Sequence, residues 1–250
     1  MNIQKGLALM NEEASIIEKL QVVYEEVPSG HCEGCLKCCT ESVNTFFVEY
    51  VNILRFLTDY PQIIEAHAEK ISRFFLLEMM ESMYCPFVDD RGRCAIYPVR
   101  PLPCRVFGHL NVEDYQDNYE KVLASNEALA EYYQTTYGLT LPEEVVHRKI
   151  PHCKSFISDG GLTIDDRDDM VDLLFSLDSK FLMHGCITFE EVNQSLITWF
   201  IKQVMPLEEA GDLRIQAMQS KQSGDERGLE SLIEKATYKI NNCFANLCKR

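Results

Sequence analysis

The chain has no run of apolar residues approaching the roughly 18 that a membrane helix needs. Its first residues, MNIQKGLALMNEEAS, hold no stretch for a signal-peptide core, because Asn11, Glu12 and Glu13 interrupt GLALM. A cytoplasmic protein without membrane attachment is the expectation. Basic residues are short as well: 24 Lys and Arg stand against 39 Asp and Glu, a net charge of −15. Such a field repels phosphate backbones and anionic lipid, so nucleic acid is not an expected partner and a protein partner or protein substrate is. No Ser/His/Asp arrangement or carboxylate pair stands out. Asp159-Gly160-Gly161 is too short to cradle a nucleotide and reads as a turn. The C-x3-C-x2-C spacing of radical S-adenosylmethionine enzymes is missing too.

Cysteine is the residue in surplus, with 11 in 250 residues. In a reducing compartment this argues against a disulfide framework and for metal or catalytic thiols. HCEGCLKCCT puts Cys32, Cys35, Cys38 and Cys39 within one short loop. The C-x2-C step lets two sulfurs reach one ion from a tight turn, and here it occurs twice in succession. Four thiolates around one centre describe structural zinc or an iron–sulfur cluster. A remote Cys85-Pro86 echoes ferredoxin ligation and puts iron–sulfur (4Fe-4S) ahead of Zn. Adjacent extended residues point to opposite sides, so Cys38 and Cys39 are expected to face different centres. With Cys94, Cys104 and Cys153 the set reaches eight, enough for two four-thiolate sites, with pairings left open. His31, His109 and His152 could replace one ligand, although hydrogen bonding is their expected duty. Cys186, Cys243 and Cys248 read as ordinary core or surface thiols.

The elements around these thiols read as mainly α. Helices are expected over 7–27, 46–58, 61–83, 112–137, 163–184, 188–204 behind the capping box Thr188–Glu191, and two more from 207 to 248. Asp89-Asp90-Arg91-Gly92 reads as the turn of a short β-hairpin that brings Cys85 near Cys94. Pro98, Pro101 and Pro103 are expected to hold the approach to Cys104 extended. A soft boundary near Gly160-Gly161 divides a cysteine-cluster domain with leading helices, 1–160, from a C-terminal helical region, 161–250, packed on it. Arg100 and Arg105 flank Cys104. They either offset a cofactor's thiolate charge of about −2 or pair with Asp89, Asp90 or another of the many carboxylates. Phe87, Tyr97 and Phe107 are expected to wall the site from water.

CEGCLKCC followed by CPFVDDRGRCAIYPVRPLPCRVF resembles the YkgJ-type cysteine-cluster family, described as zinc- or iron-chelating proteins. The resemblance covers about 30–110, with an extension to 153 left open, and implies metal-associated thiols at Cys32, Cys35, Cys38, Cys39, Cys85, Cys94 and Cys104. One departure is Lys37, where the family often has Gly before the paired cysteines. The cluster is also similar to part of flagellin lysine N-methylase, which implies methyl transfer. Three readings follow: a redox or accessory iron–sulfur protein, a lysine-methylase-like enzyme, and a zinc-stapled adaptor.

Overall fold

Residues 1–40 and 42–247 are described by the computed structural model; Cys248 lies outside the described residues. The chain is mainly α, as expected. In order, the elements are α1 (Ile3–Glu12), α2 (Ala14–Glu26), β1 (Gly30–His31), β2 (Asn44–Thr45), α3 (Phe47–Asp59), α4 (Pro61–Leu77), α5 (Leu102–Val106) and α6 (Val112–Tyr137). They continue with α7 (Glu143–Val146), β3 (Ile157–Ser158), α8 (Ile164–Met183), β4 (Gln194–Ser195), α9 (Leu196–Val204), α10 (Leu207–Ser223) and α11 (Glu226–Leu247). Among the described residues no helix is long and apolar enough to cross a membrane.

One apolar core runs across Gly160-Gly161 without a break. Phe47 and Tyr50 of α3 meet Phe181 of α8 and Trp199 of α9, with ring centroids 5.2 to 5.8 Å apart for three of these pairs. The Trp199 indole N–H donates to the Thr45 carbonyl at 2.8 Å, so the largest buried side chain leaves no polar atom unpaired. Helix α4 is buried along its inner face, and α10 and α11 pack against it. Phe46, at the N-cap of α3, has no oxygen to offer the first turn. Asp178 of α8 supplies it instead, accepting the N–H groups of Phe47 and Val48 at 2.8 and 2.7 Å.

Several local expectations change. The leading helix breaks at Glu13, whose carboxylate turns out to Lys180 at 2.6 Å, and both halves bury apolar residues, Leu9 and Met10 before and Ile16 and Leu20 after. The Thr188–Glu191 box forms but opens only one 3-10 turn. Glu191 is drawn to Lys202 at 2.6 Å, and α9 starts later, capped by Ser195. The proline-rich approach to Cys104 is not extended: a 3-10 turn covers Tyr97–Val99 and α5 follows. Pro98 and Pro103 sit in first turns, where a missing N–H has no partner to lose. The Asp89–Gly92 turn is present, with Asp89 N–H donating to the Arg93 carbonyl at 2.8 Å. Its ladder, however, is a single bridge, Val88 to Cys94. The strand pairs are long-range instead, β1 with β3 and β2 with β4, both antiparallel.

Candidate metal centre

Residues 37–40 form a turn closed by Cys39 N–H donating to the Leu36 carbonyl at 2.9 Å. Because this backbone is not extended, Cys38 and Cys39 do not diverge. Their side chains interact, and the Cys39 thiol, ahead of burial, pushes the Cys38 thiol upward. The expectation of opposite faces is corrected accordingly. The Cys39 carbonyl accepts the Cys85 N–H at 2.6 Å, stitching the turn to the Cys85-Pro86 segment. His67, buried in α4, holds that segment from below through Nδ1 and the Pro86 carbonyl at 2.7 Å. Phe87 is fully buried between His67 and Phe200.

Cys104 rides on α5. The orphan N–H of Leu102, at the start of that helix, donates to Glu49 at 2.7 Å. Surrounding protein drives the Cys104 thiol well above the ordinary range, and Cys85, Cys94 and Cys38 lie close enough to raise it further. Burial pushes Cys85 up to about 12 and raises Cys94 as well. Yet Cys104 still presents surface to solvent, as a thiol in a crevice does. Four thiols, Cys38, Cys85, Cys94 and Cys104, thus share one neighbourhood. Without a cation they are held protonated; a bound metal reverses that balance.

Arg100 is the cation of this crevice. It lowers Cys38, Cys94 and Cys104 against the other causes, lies 4.3 Å over the Tyr97 ring, and has a buried Nε with no partner. Asp89 and Asp90 do not claim it, being paired with Arg93 and Lys70 at 3.1 and 2.8 Å. Arg105 acts differently. Its Nε and Nη2 donate to the carbonyls of Arg100 and Pro98 at 2.8 and 2.9 Å, and the guanidinium stacks 3.8 Å from the Tyr24 ring. It braces the loop that carries Arg100. Tyr97 is 51% exposed, so it carries Arg100 rather than walling out water.

Two residues invisible to motif reading hold this arrangement. Glu49 is fully buried and accepts from Leu102 N–H, Tyr24 Oη at 3.0 Å and Phe46 N–H at 3.2 Å; burial pushes it up to about 7 despite these bonds. Arg148 donates from Nη1 to the Thr40 carbonyl at 2.7 Å, clasping the paired-cysteine turn from a distant loop. The only signal in sequence is an acid three residues after the helix entry; Arg148, between His147 and Lys149, reads like any surface cation.

The remaining candidates lie apart from the crevice. Cys32 and Cys35 are exposed, in a loop where Gly34 and the non-glycine Leu36 both take positive φ, 67° and 60°. Cys153 is half-buried in the loop before β3. His31 is exposed, whereas His109 Nδ1 meets Ser158 Oγ at 2.9 Å and His152 Nε2 donates to the Leu110 carbonyl at 2.8 Å. Cys186 is buried and Cys243 points to the Gln203 carbonyl, ordinary thiols as expected. Among the described residues no three His, Cys, Asp or Glu side chains already converge as a metal cage. A cleft of about 630 Å³ between α2 and α8, lined by Glu26, Asp166, Asp169, Asp172, Met170 and Leu173, has none of the eight candidate cysteines in its wall.

The donor chemistry fits a thiolate-bound metal. The neighbouring donors are soft sulfurs, and the orphaned Arg100 Nε offers a hydrogen bond that a thiolate accepts and a neutral surrounding does not supply. Residues 31–125 match the model of the CxxCxxCC family, described as "Putative zinc- or iron-chelating domain". The match agrees with the cysteine-cluster resemblance, takes in seven of the eight thiols and stops before Cys153. No curated protein and no solved structure matches the chain.

Proposed function

We propose that this chain, whose residues 31–125 match the model of a zinc- or iron-chelating cysteine domain, is an iron–sulfur protein with an electron-transfer or redox-sensing role. Its centre is held by Cys38, Cys85, Cys94 and Cys104. The observation that carries the reading is Arg100: a cation with an unpartnered buried Nε among four thiols, one of which opens to solvent. Such a neighbour offsets thiolate charge, and an edge open to solvent is where a redox partner would approach. The group, when bound, supplies one-electron chemistry; this chain's part is to hold, shield and tune it. Zinc is the second choice for the same sulfurs. The lining of the acidic cleft, free of those cysteines, gives the methylase-like reading no joined site, and the adaptor reading follows only if zinc is the occupant.

Metal and acid-labile sulfide content of anaerobically purified protein tests this, with absorption spectra before and after dithionite. Iron and sulfide in near-equal amounts, with a visible band that dithionite bleaches, supports the reading. Colourless protein with stoichiometric zinc overturns the redox role in favour of the adaptor. Protein that takes up neither metal overturns both.

A further inference from the structure

Away from the thiols, α2 and α3 line the two sides of a small cleft. Ile17, Leu20, Gln21 and Tyr24 recur at i, i+3, i+4 and i+7 along α2, and Asn52, Arg55, Phe56 and Asp59 do the same along α3, so each set is one stripe of its helix. Pro98 and Val99, in the 3-10 turn before Arg100, complete the wall around about 240 Å³. At about 30 Å³ per water that is room for roughly eight waters, the scale of a single amino acid. The wall is held in place from behind: Tyr24 Oη donates to Glu49 at 3.0 Å, and the Arg105 guanidinium lies 3.8 Å from the Tyr24 ring centre.

The charges in this wall are unmatched. Arg55 Nη1 is buried and has no hydrogen-bond partner. Arg73 with Glu69 and Arg93 with Asp89 form ion pairs across one helical turn or its equivalent spacing, whereas Arg55 and Asp59, also four residues apart, form none among the described residues. Arg105 does not compete for an anion there, since its Nε and Nη2 donate to the carbonyls of Arg100 and Pro98.

We propose that this cleft binds a free α-amino acid with an apolar side chain, its carboxylate on Arg55, its ammonium on Asp59 and its side chain against Ile17, Phe56 and Val99. A guanidinium takes a carboxylate and a carboxylate takes an ammonium through charge-assisted hydrogen bonds. A ligand with only the carboxylate would meet the like charge of Asp59, and one with only the ammonium would meet that of Arg55; a zwitterion satisfies both. Asn52 and Gln21 each offer a donor and an acceptor, so their amides can serve either end. The buried Nη1 gains the acceptor that the protein does not give it. Binding makes and breaks no covalent bond, and it does not depend on which metal the thiols hold.

The test is isothermal titration calorimetry on the full-length protein as purified, with L-leucine and L-phenylalanine as probes. Two leucine analogues accompany them: leucinamide, which lacks the carboxylate, and 4-methylpentanoate, which lacks the ammonium. The expected result is one site for the amino acids and binding weaker by about ten-fold or more for each analogue, as each loses a charge-assisted contact. Arg55→Gln should weaken leucine at least as much. Asp59→Asn should weaken leucine but tighten 4-methylpentanoate, because a like charge is gone; a merely structural role for Asp59 would not reverse that preference. Either analogue binding the unaltered chain as tightly as leucine overturns the zwitterion assignment, and so does an Asp59→Asn protein with unchanged preference. Absence of binding by both amino acids at millimolar concentrations overturns the site. Asp59 is exposed, so its variant decides the matter even if Arg55→Gln folds poorly.

Discussion

Arg100 can be weighed one atom at a time. A buried guanidinium nitrogen without a partner costs on the order of 1–3 kcal/mol, a cost that a thiolate neighbour removes. Replacing Arg100 with Ala is therefore expected to weaken metal binding by about 10- to 100-fold, the usual effect of losing an outer-shell partner. If the centre is iron–sulfur, its midpoint potential should also fall, because a nearby cation favours the more negative reduced state; a chelator competition and a dithionite titration read the two effects. Glu49 and Asp178 carry a second prediction. Burial raises both to about 7 in the folded chain, above the value of about 4 they have when unfolded. Between those limits the folded state holds protons that the unfolded state has lost, so their stabilisation is complete below about pH 4 and drains away as pH rises to 7. The urea midpoint of metal-free protein should fall from pH 5 to 8, and fall less in Glu49→Gln. The ion-paired carboxylates with lowered values, Asp89 and Glu191 among them, act below that window. A flat profile would show that the N–H donors, not burial, set these acids. Neither Glu49 nor Arg148 was legible in sequence, since their partners are backbone atoms at Leu102 and Thr40 that only the fold brings near. The thiols were legible because metal spacing is local.

Helices with their own caps were the easiest elements to foresee. Val112–Tyr137 begins at the Asn111 cap and ends at Gly138 with φ 66°, and Ile164–Met183 begins in the Thr163–Asp166 box. Where the ends depend on distant groups, local reading failed: α5 exists because Glu49 takes the N–H its prolines leave exposed, and α3 starts on Asp178. The same holds for β1 and β3, two-residue strands far apart in sequence with no alternating pattern to betray them. Their clasp can be tested through Gly108. A Cβ there would stand 2.6 Å from the Phe156 ring, and the backbone φ is not in the left-handed region, so the clash is the whole effect. Gly108→Ala is expected to cost about 1–3 kcal/mol and to raise amide exchange over 152–158 more than in α8. Unchanged exchange in that stretch would mean the ring moves aside without loosening the clasp.

The size and charge of the whole chain set two further expectations. An ion that binds only the folded state adds about 2.7 kcal/mol when present at 100 times its dissociation constant, so zinc or iron should raise the melting temperature and a chelator should reverse it. No change on adding either metal would count against the proposed centre. A boundary at Gly160-Gly161 carries the other expectation. The turn there is polar and exposed, as boundaries are, but the core does not respect it. Phe181, Trp199 and Phe200 lie on one side of it and pack against Phe47 and Tyr50 on the other. Cutting there would bare the inner face of α4, where Ile71, Phe74, Leu76 and Leu77 are almost wholly buried. Each such side chain loses about 1.5–3 kcal/mol on exposure, against a typical total stability of about 5–15 kcal/mol. The α3 cap from Asp178 goes with them. A fragment of residues 1–160 is therefore expected to lack a cooperative thermal transition in far-UV circular dichroism, even with metal supplied. A sharp melt from that fragment would make the thiol-bearing part a domain in its own right and reduce the C-terminal helices to a cover.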